Sequence, residues 1–176
     1  MEPNSPIYKA QTIGNIEPIE YMIPYPSTQA IIEGQIIKYK NEKVFKDYNL
    51  TNIDFFNSIQ RTSNWLSAQG ILPKDKVVID DSSFLNSIIL LYSLWHIGAV
   101  AVFLEEKKYY PNKNLNVKYL EYSGDLIKIT EPYTSHFIPK YKPLLNDDAV
   151  AIVSNVKTVL LSHYGLLVNA NGLQKL

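Results

Sequence analysis

From Phe84 to Leu104 the chain runs 21 residues without a charged side chain. A stretch of ~20 apolar residues can cross a bilayer as one helix, or it can be a helix and a strand buried in a folded core. Its internal punctuation favours the core. Asn86, Ser87, Ser93 and His96 interrupt it, and Gly98 separates a helix-length piece, Phe84 to Ile97, from the short β-branched run Ala99-Val100-Ala101-Val102-Phe103-Leu104. Immediately upstream, Pro73-Lys74-Asp75-Lys76 reads as a polar turn and Val77-Val78-Ile79 as a buried strand. Asp80 to Ser83 then offer capping oxygens for the helix. Strand, helix and strand make a βαβ unit, whose strands lie parallel with a right-handed crossover. A helix apolar on nearly every side calls for cover on both faces. The expected fold class is therefore α/β: a mainly parallel central sheet with helices on both faces and flavodoxin-like or Rossmann-like layering.

The flanking segments complete this outline. Residues 1–26 are rich in Pro and Tyr with little periodicity and predict an irregular amino-terminal arm, leaving 27–176 as a single α/β domain. Ala30-Ile31-Ile32, Ile36-Ile37-Lys38-Tyr39 and Lys43-Val44-Phe45 read as short strands broken at Glu33-Gly34 and Asn41-Glu42, which predicts a small antiparallel edge ribbon. Thr51 is placed to cap a helix with Ile53, Phe56, Ile59 and Leu66 on its apolar face, and Gly70 to end it in a left-handed turn. With 176 residues, 46% of them hydrophobic, the chain can bury one sizeable core. Seventeen basic residues balance seventeen acidic ones, so net charge gives no reason to expect nucleic acid as a partner. The absence of cysteine removes disulfides and thiolate catalysis. Met1 to Pro6 begins no basic-then-apolar leader, and a cytoplasmic location is expected.

Few residues suggest chemistry directly. Ser162-His163 could suggest a nucleophile and its base, but adjacent side chains diverge, and Ser162 stands where a helix N-cap belongs. His96, His136 and His163 share no short ligand spacing, so no metal site is expected; His96 reads as a polar group at a helix end, its proton satisfying a carbonyl. Glu105-Glu106-Lys107-Lys108 reads as a solvated strand exit, at the end of a parallel strand where ligand crevices usually lie. Thirteen tyrosines are scattered without basic interleaving, which again argues against nucleic acid.

One region is more specific. Asp147-Asp148-Ala149-Val150-Ala151-Ile152-Val153-Ser154 reads as an acidic turn entering an apolar strand. Lys157-Thr158-Val159-Leu160-Leu161-Ser162-His163-Tyr164-Gly165-Leu166-Leu167 reads as a second strand feeding a capped helix. Both halves resemble the flanks of the phosphate-binding loop in adenylate-forming, AMP-dependent acyl- and aryl-CoA ligases. Two upstream runs resemble the same family. Arg61 to Ile79 matches its sequence of helix, Gly stop, Pro-Gly-Asp turn and first core strand, with Lys74 in place of the usual Gly. Leu91 to Leu104 matches its segment leading into Lys-Ala-Gly-Ala, with His96-Ile97 in the Lys-Ala place. The resemblance covers about residues 26 to 176 and corresponds to the amino-terminal subdomain. It implies activation of a carboxylic acid with ATP and Mg²⁺ and transfer to a thiol such as coenzyme A.

The phosphate loop itself is what the chain lacks. The family places a Ser-, Thr- and Gly-rich stretch ending Pro-Lys-Gly between these strands. Here Ser154-Asn155 stands in its place, with Val156-Lys157-Thr158 aligned to its end. Glycines let successive amides converge on an anion; Val resists positive φ, and no glycine occurs from Leu126 to Tyr164. Ser154, Asn155, Lys157 and Thr158 are thus vestigial nucleotide-binding positions; no catalytic residue is assigned, and no cofactor is expected. A mobile loop between Asn155 and Val156, if the chain carried one, would restore ATP and Mg²⁺. The foremost reading is a truncated or degenerate ligase-like domain, noncatalytic alone, acting through a protein partner or self-association. The alternatives are part of an active acid–thiol ligase and a small apolar-ligand-binding module.

Overall fold

The computed structural model describes residues 27–45, 47–80, 83–105 and 116–173. The amino-terminal arm and Glu106-Lys107-Lys108 lie outside them. In chain order the elements are α1 (Thr28–Tyr39), α2 (Asn52–Ala68), β1 (Lys76–Val78), α3 (Phe84–Ile97), β2 (Val100–Leu104), β3 (Val117–Lys118), α4 (Leu126–Thr130), β4 (Asp148–Val153), β5 (Thr158–Ser162) and α5 (His163–Leu173).

The βαβ unit forms as predicted. Ser83 caps α3 by accepting the Asn86 N–H (3.4 Å), and Gly98 ends it at φ +85°. The Gly98 N–H reaches back to the carbonyls of Leu94 and Trp95, which closes the last turn and aims the chain into β2. β1 and β2 then run parallel, with Lys76 opposite Val100 and Val78 opposite Val102. The five-stranded sheet has the order β3-β1-β2-β4-β5; β3 pairs in parallel with β1 and β4 with β2, and β5 closes one edge antiparallel to β4. This is a mainly parallel α/β sheet with one antiparallel strand pair. Side-chain alternation divides each strand between two faces. Val77, Ala101 and Val150 join Ile59 and Leu66 of α2, Ile89, Leu90 and Leu94 of α3 and Leu126 of α4 in the larger core cluster. Val78, Val100, Val102, Ala151 and Val153 form a smaller cluster on the opposite face, with Leu104 and Val117 against it. None of the described helices is long and apolar enough to cross a membrane.

The cap of α2 is also as expected. The Thr51 hydroxyl accepts the Asp54 N–H (3.2 Å) and Asp54 reciprocates by accepting the Thr51 N–H (3.3 Å); Gly70 follows the helix at φ +79°. Ile59 and Leu66 are fully buried, joined by Phe55 and Trp65.

The ribbon predicted over residues 30–45 is a correction. Residues 28–39 form α1, and the antiparallel bridge at Lys43 is to Thr51, outside the expected ribbon. Isoleucines on either side of Glu33-Gly34 favour strands by propensity, but long-range contacts override that preference. Ser27 accepts the Ala30 N–H (3.2 Å) to start the helix, and Thr28, Gln29 and Ile32 are buried against the core.

Candidate functional site

Strands β2 and β4 both deliver their carboxyl ends to one corner of the sheet, where ligands of open α/β sheets usually bind. The ladder there continues one residue past β2, the Glu105 N–H donating to the Val153 carbonyl (3.0 Å). Beyond Val153 the chain reverses through Ser154-Asn155-Val156-Lys157 and returns as β5, Thr158 pairing with Val153. A groove of about 420 Å³ opens beside this turn, floored by Phe103, Ile152 and Val159 and rimmed by Glu105, Ser154 and Lys157. Of the sequence-predicted positions, Ser154 and Lys157 thus share a groove, together with Glu105. Asn155 and Thr158 are exposed and do not line it.

The turn is closed by its own serine. The Ser154 N–H and hydroxyl both donate to the Lys157 carbonyl (3.0 Å each), while the Ser154 hydroxyl oxygen accepts the N–H groups of Val156 (3.3 Å) and Lys157 (3.1 Å). Two adjacent amides that an anion-binding loop would leave pointing outward are here engaged by one hydroxyl. What remains is one carboxylate, one ammonium and an apolar floor, enough to hold a small amphipathic molecule and too little to neutralise a triphosphate. Among the described residues no group of three or more His, Asp or Glu side chains could hold a metal ion.

Ser162 and His163 separate as expected. The Ser162 hydroxyl accepts the Gly165 N–H (3.2 Å) at the start of α5. His163 turns inward, fully buried, with Nδ1 2.7 Å from the Thr28 hydroxyl and its ring edge-on to Trp95. The role expected of His96 is only partly met. Its Nδ1 has no well-formed hydrogen bond, and burial drives its pKa from the ordinary 6.5 down to about 4, with a backbone interaction at Tyr92 opposing. The carbonyls at that helix end are instead served by Gln29, whose amide donates to Trp95 (3.0 Å) and His96 (2.9 Å). This buried junction of Thr28, Gln29, Trp95 and His163 could not be read from local sequence, because its hydrogen bonds span 66 to 135 residues. Nearby, Tyr141 donates its hydroxyl to Asp147, which also accepts the Leu144 N–H (2.8 Å). Those bonds hold the carboxyl below its ordinary range and push the phenol up.

Among solved structures, the amino-terminal subdomain of NpsA from Klebsiella oxytoca superposes with a TM-score of 0.61 at 14% identity, over 81% of this chain and 43% of that one. A long-chain-fatty-acid-CoA ligase (FadD1) from Archaeoglobus fulgidus gives 0.64 at 15% identity, over 88% of this chain and 41% of that one. A fatty acyl-adenylate ligase from L. pneumophila gives 0.60 at 18%, over 87% and 33%. The fold is that of the amino-terminal subdomain of adenylate-forming ligases. The chain spans less than half the length of these three structures. No family model matches the sequence, and no curated protein matches it. Within the adenylate-forming fold, the corner where the sequence resemblance expects a phosphate loop is the serine-closed turn.

Proposed function

We propose that this chain is a noncatalytic domain of adenylate-forming fold, which works by associating with another polypeptide and not by activating an acid. The observation that carries the reading is the turn from Ser154 to Lys157, whose Val156 and Lys157 amides are held by the Ser154 hydroxyl. Adenylation requires in-line attack on the α-phosphate while backbone amides, a metal ion and cations take up the developing charge. The turn supplies neither the free amides nor, with Glu105 as its neighbouring carboxylate, a metal-binding cluster. Association is supported by apolar side chains left in water around the same corner: Ile152, Val156 and Leu160.

The test is an intact mass followed, on the same sample, by titration with ATP and Mg²⁺ in a calorimeter. A mass of 20.1 kDa and no heat of binding is the expected result. Saturable binding of ATP, or a mass large enough to include a further loop, overturns the reading in favour of an active acid–thiol ligase. The groove is open to solvent and not an enclosed cavity, which gives the ligand-binding alternative less support.

A further inference from the structure

The two edges of the sheet differ in a way that bears on association. β3 is two residues long, and its Lys118 is tied to Asp75 (2.6 Å) and to the Gly70 carbonyl (2.9 Å). Short length and a lysine are the usual devices that keep an edge from pairing with another chain. The opposite edge has neither. β5 is Thr158-Val159-Leu160-Leu161-Ser162, with no charge, no proline and no glycine. The nearest charge, Lys157, stands outside the strand in the turn.

The unpaired groups of β5 can be assigned by parity. Lys157 accepts from Ser154 and His163 donates to Asp147, so odd-numbered residues of the strand turn their backbone groups toward β4. Thr158 and Leu160 therefore turn theirs away from it, as does the Ser162 N–H, the Ser162 carbonyl being the N-cap acceptor of α5. Among the described residues no second strand pairs with this side of β5. The side chains agree: Leu160 is 46% exposed and Val156 in the turn 85%.

We infer that β5 is a dimerisation edge, pairing antiparallel with β5 of a second copy of this chain about a two-fold axis at Leu160. The strand suits itself in that arrangement. Leu160 meets Leu160, Val159 meets Leu161, and Thr158 meets Ser162, so every apolar residue faces an apolar one and every hydroxyl a hydroxyl. A closed, isologous contact of this kind stops at two copies. Equal numbers of basic and acidic residues leave no net charge to hold the copies apart. The pairing extends the sheet in the sense β4 and β5 already establish. A second copy is one form of the association proposed above, and the inference rests on that reading. The two fail separately: ATP binding would overturn the noncatalytic reading and leave a dimer intact, while a monomer would overturn the dimer alone.

Sedimentation velocity from about 1 to 200 μM tests it on the full chain, because a contact too weak to see over that range is not a stable interface. A concentration-dependent shift to twice the protomer mass is expected. Leu160→Lys sets like charges face to face at the axis and should weaken the dimer at least ~tenfold. Because the chain has no cysteine, a single Leu160→Cys gives an independent readout that leaves the strand uncharged. Opposed residues of a hydrogen-bonded antiparallel pair have Cα atoms about 5.5 Å apart, within disulfide reach. Mild oxidation should therefore link Leu160→Cys far more completely than Lys118→Cys at the other edge. A monomer across the whole range, a dimer untouched by Leu160→Lys in a folded variant, or equal cross-linking at both edges would overturn the inference. So would a monomer that instead captures an extended peptide.

Discussion

Lys74 occupies a backbone conformation built for glycine, with φ +68° in the turn where the ligase pattern has Gly. The cost of a side chain there is on the order of 1 kcal/mol. It is offset in part by the Lys74 ammonium lying 5.4 Å from the centre of the Tyr141 ring. Lys74→Gly should therefore raise stability by roughly 0.5 kcal/mol in urea unfolding. Gly98 gives the opposite case: a Cβ added at its φ of +85° would fall 2.6 Å from Tyr141 Cδ1. Gly98→Ala should cost about 2 to 3 kcal/mol, the strain adding to displacement of the ring and its bond to Asp147. His96 makes stability depend on pH. Its folded pKa of about 4 lies below the ordinary 6.5, so the unfolded chain takes up the proton first. The contribution of the neutral imidazole is complete above pH 6.5 and is lost as pH falls through about 4. The loss from this group is about 3 kcal/mol at most, and burial of His163 acts in the same direction. Denaturation at pH 7, 5.5 and 4 should show that decline, and His96→Leu should flatten most of it.

At the scale of elements, legibility followed the range of the interactions involved. α2 and α3 were readable because their caps, Thr51 and Ser83, and their terminators, Gly70 and Gly98, act within a few residues. α1 was not, since its isoleucine runs carry a strand pattern and the contacts that make it a helix come from α2 and α3. Strands β4 and β5 were readable from their apolar runs, while the hydroxyl that closes the turn between them was not, because a serine's local bonds depend on the turn that forms around it. Ser154→Ala removes the acceptor for two amides and should cost about 1 kcal/mol. The same change should speed hydrogen exchange of the Val156 and Lys157 amides, read by NMR, with the β1–β2 ladder unaffected. Unchanged exchange at those two amides would mean that the hydroxyl does not close the turn in solution.

For the whole molecule, sheet class, the parallel pairing within the βαβ unit and the position of the crevice all followed from one uncharged stretch and its two turns. The grouping of Glu105 with Lys157 in one groove did not, for it depends on β4 lying next to β2 across the long connection that holds β3 and α4. The bond from Thr28 to His163 joins the first described helix to the last across 135 residues. Closing so long a loop is entropically expensive before any contact compensates, whereas β1, α3 and β2 meet through near neighbours. The local unit should thus organise early, and the Thr28–His163 contact should form only after the rate-limiting barrier. Thr28→Val leaves a buried imidazole nitrogen unpaired at a cost of about 1 to 3 kcal/mol. Stopped-flow measurements should find that cost almost entirely in faster unfolding, with refolding unchanged. The fold would then have a latch whose strength sets how long the native state lasts and has no bearing on how quickly it is reached.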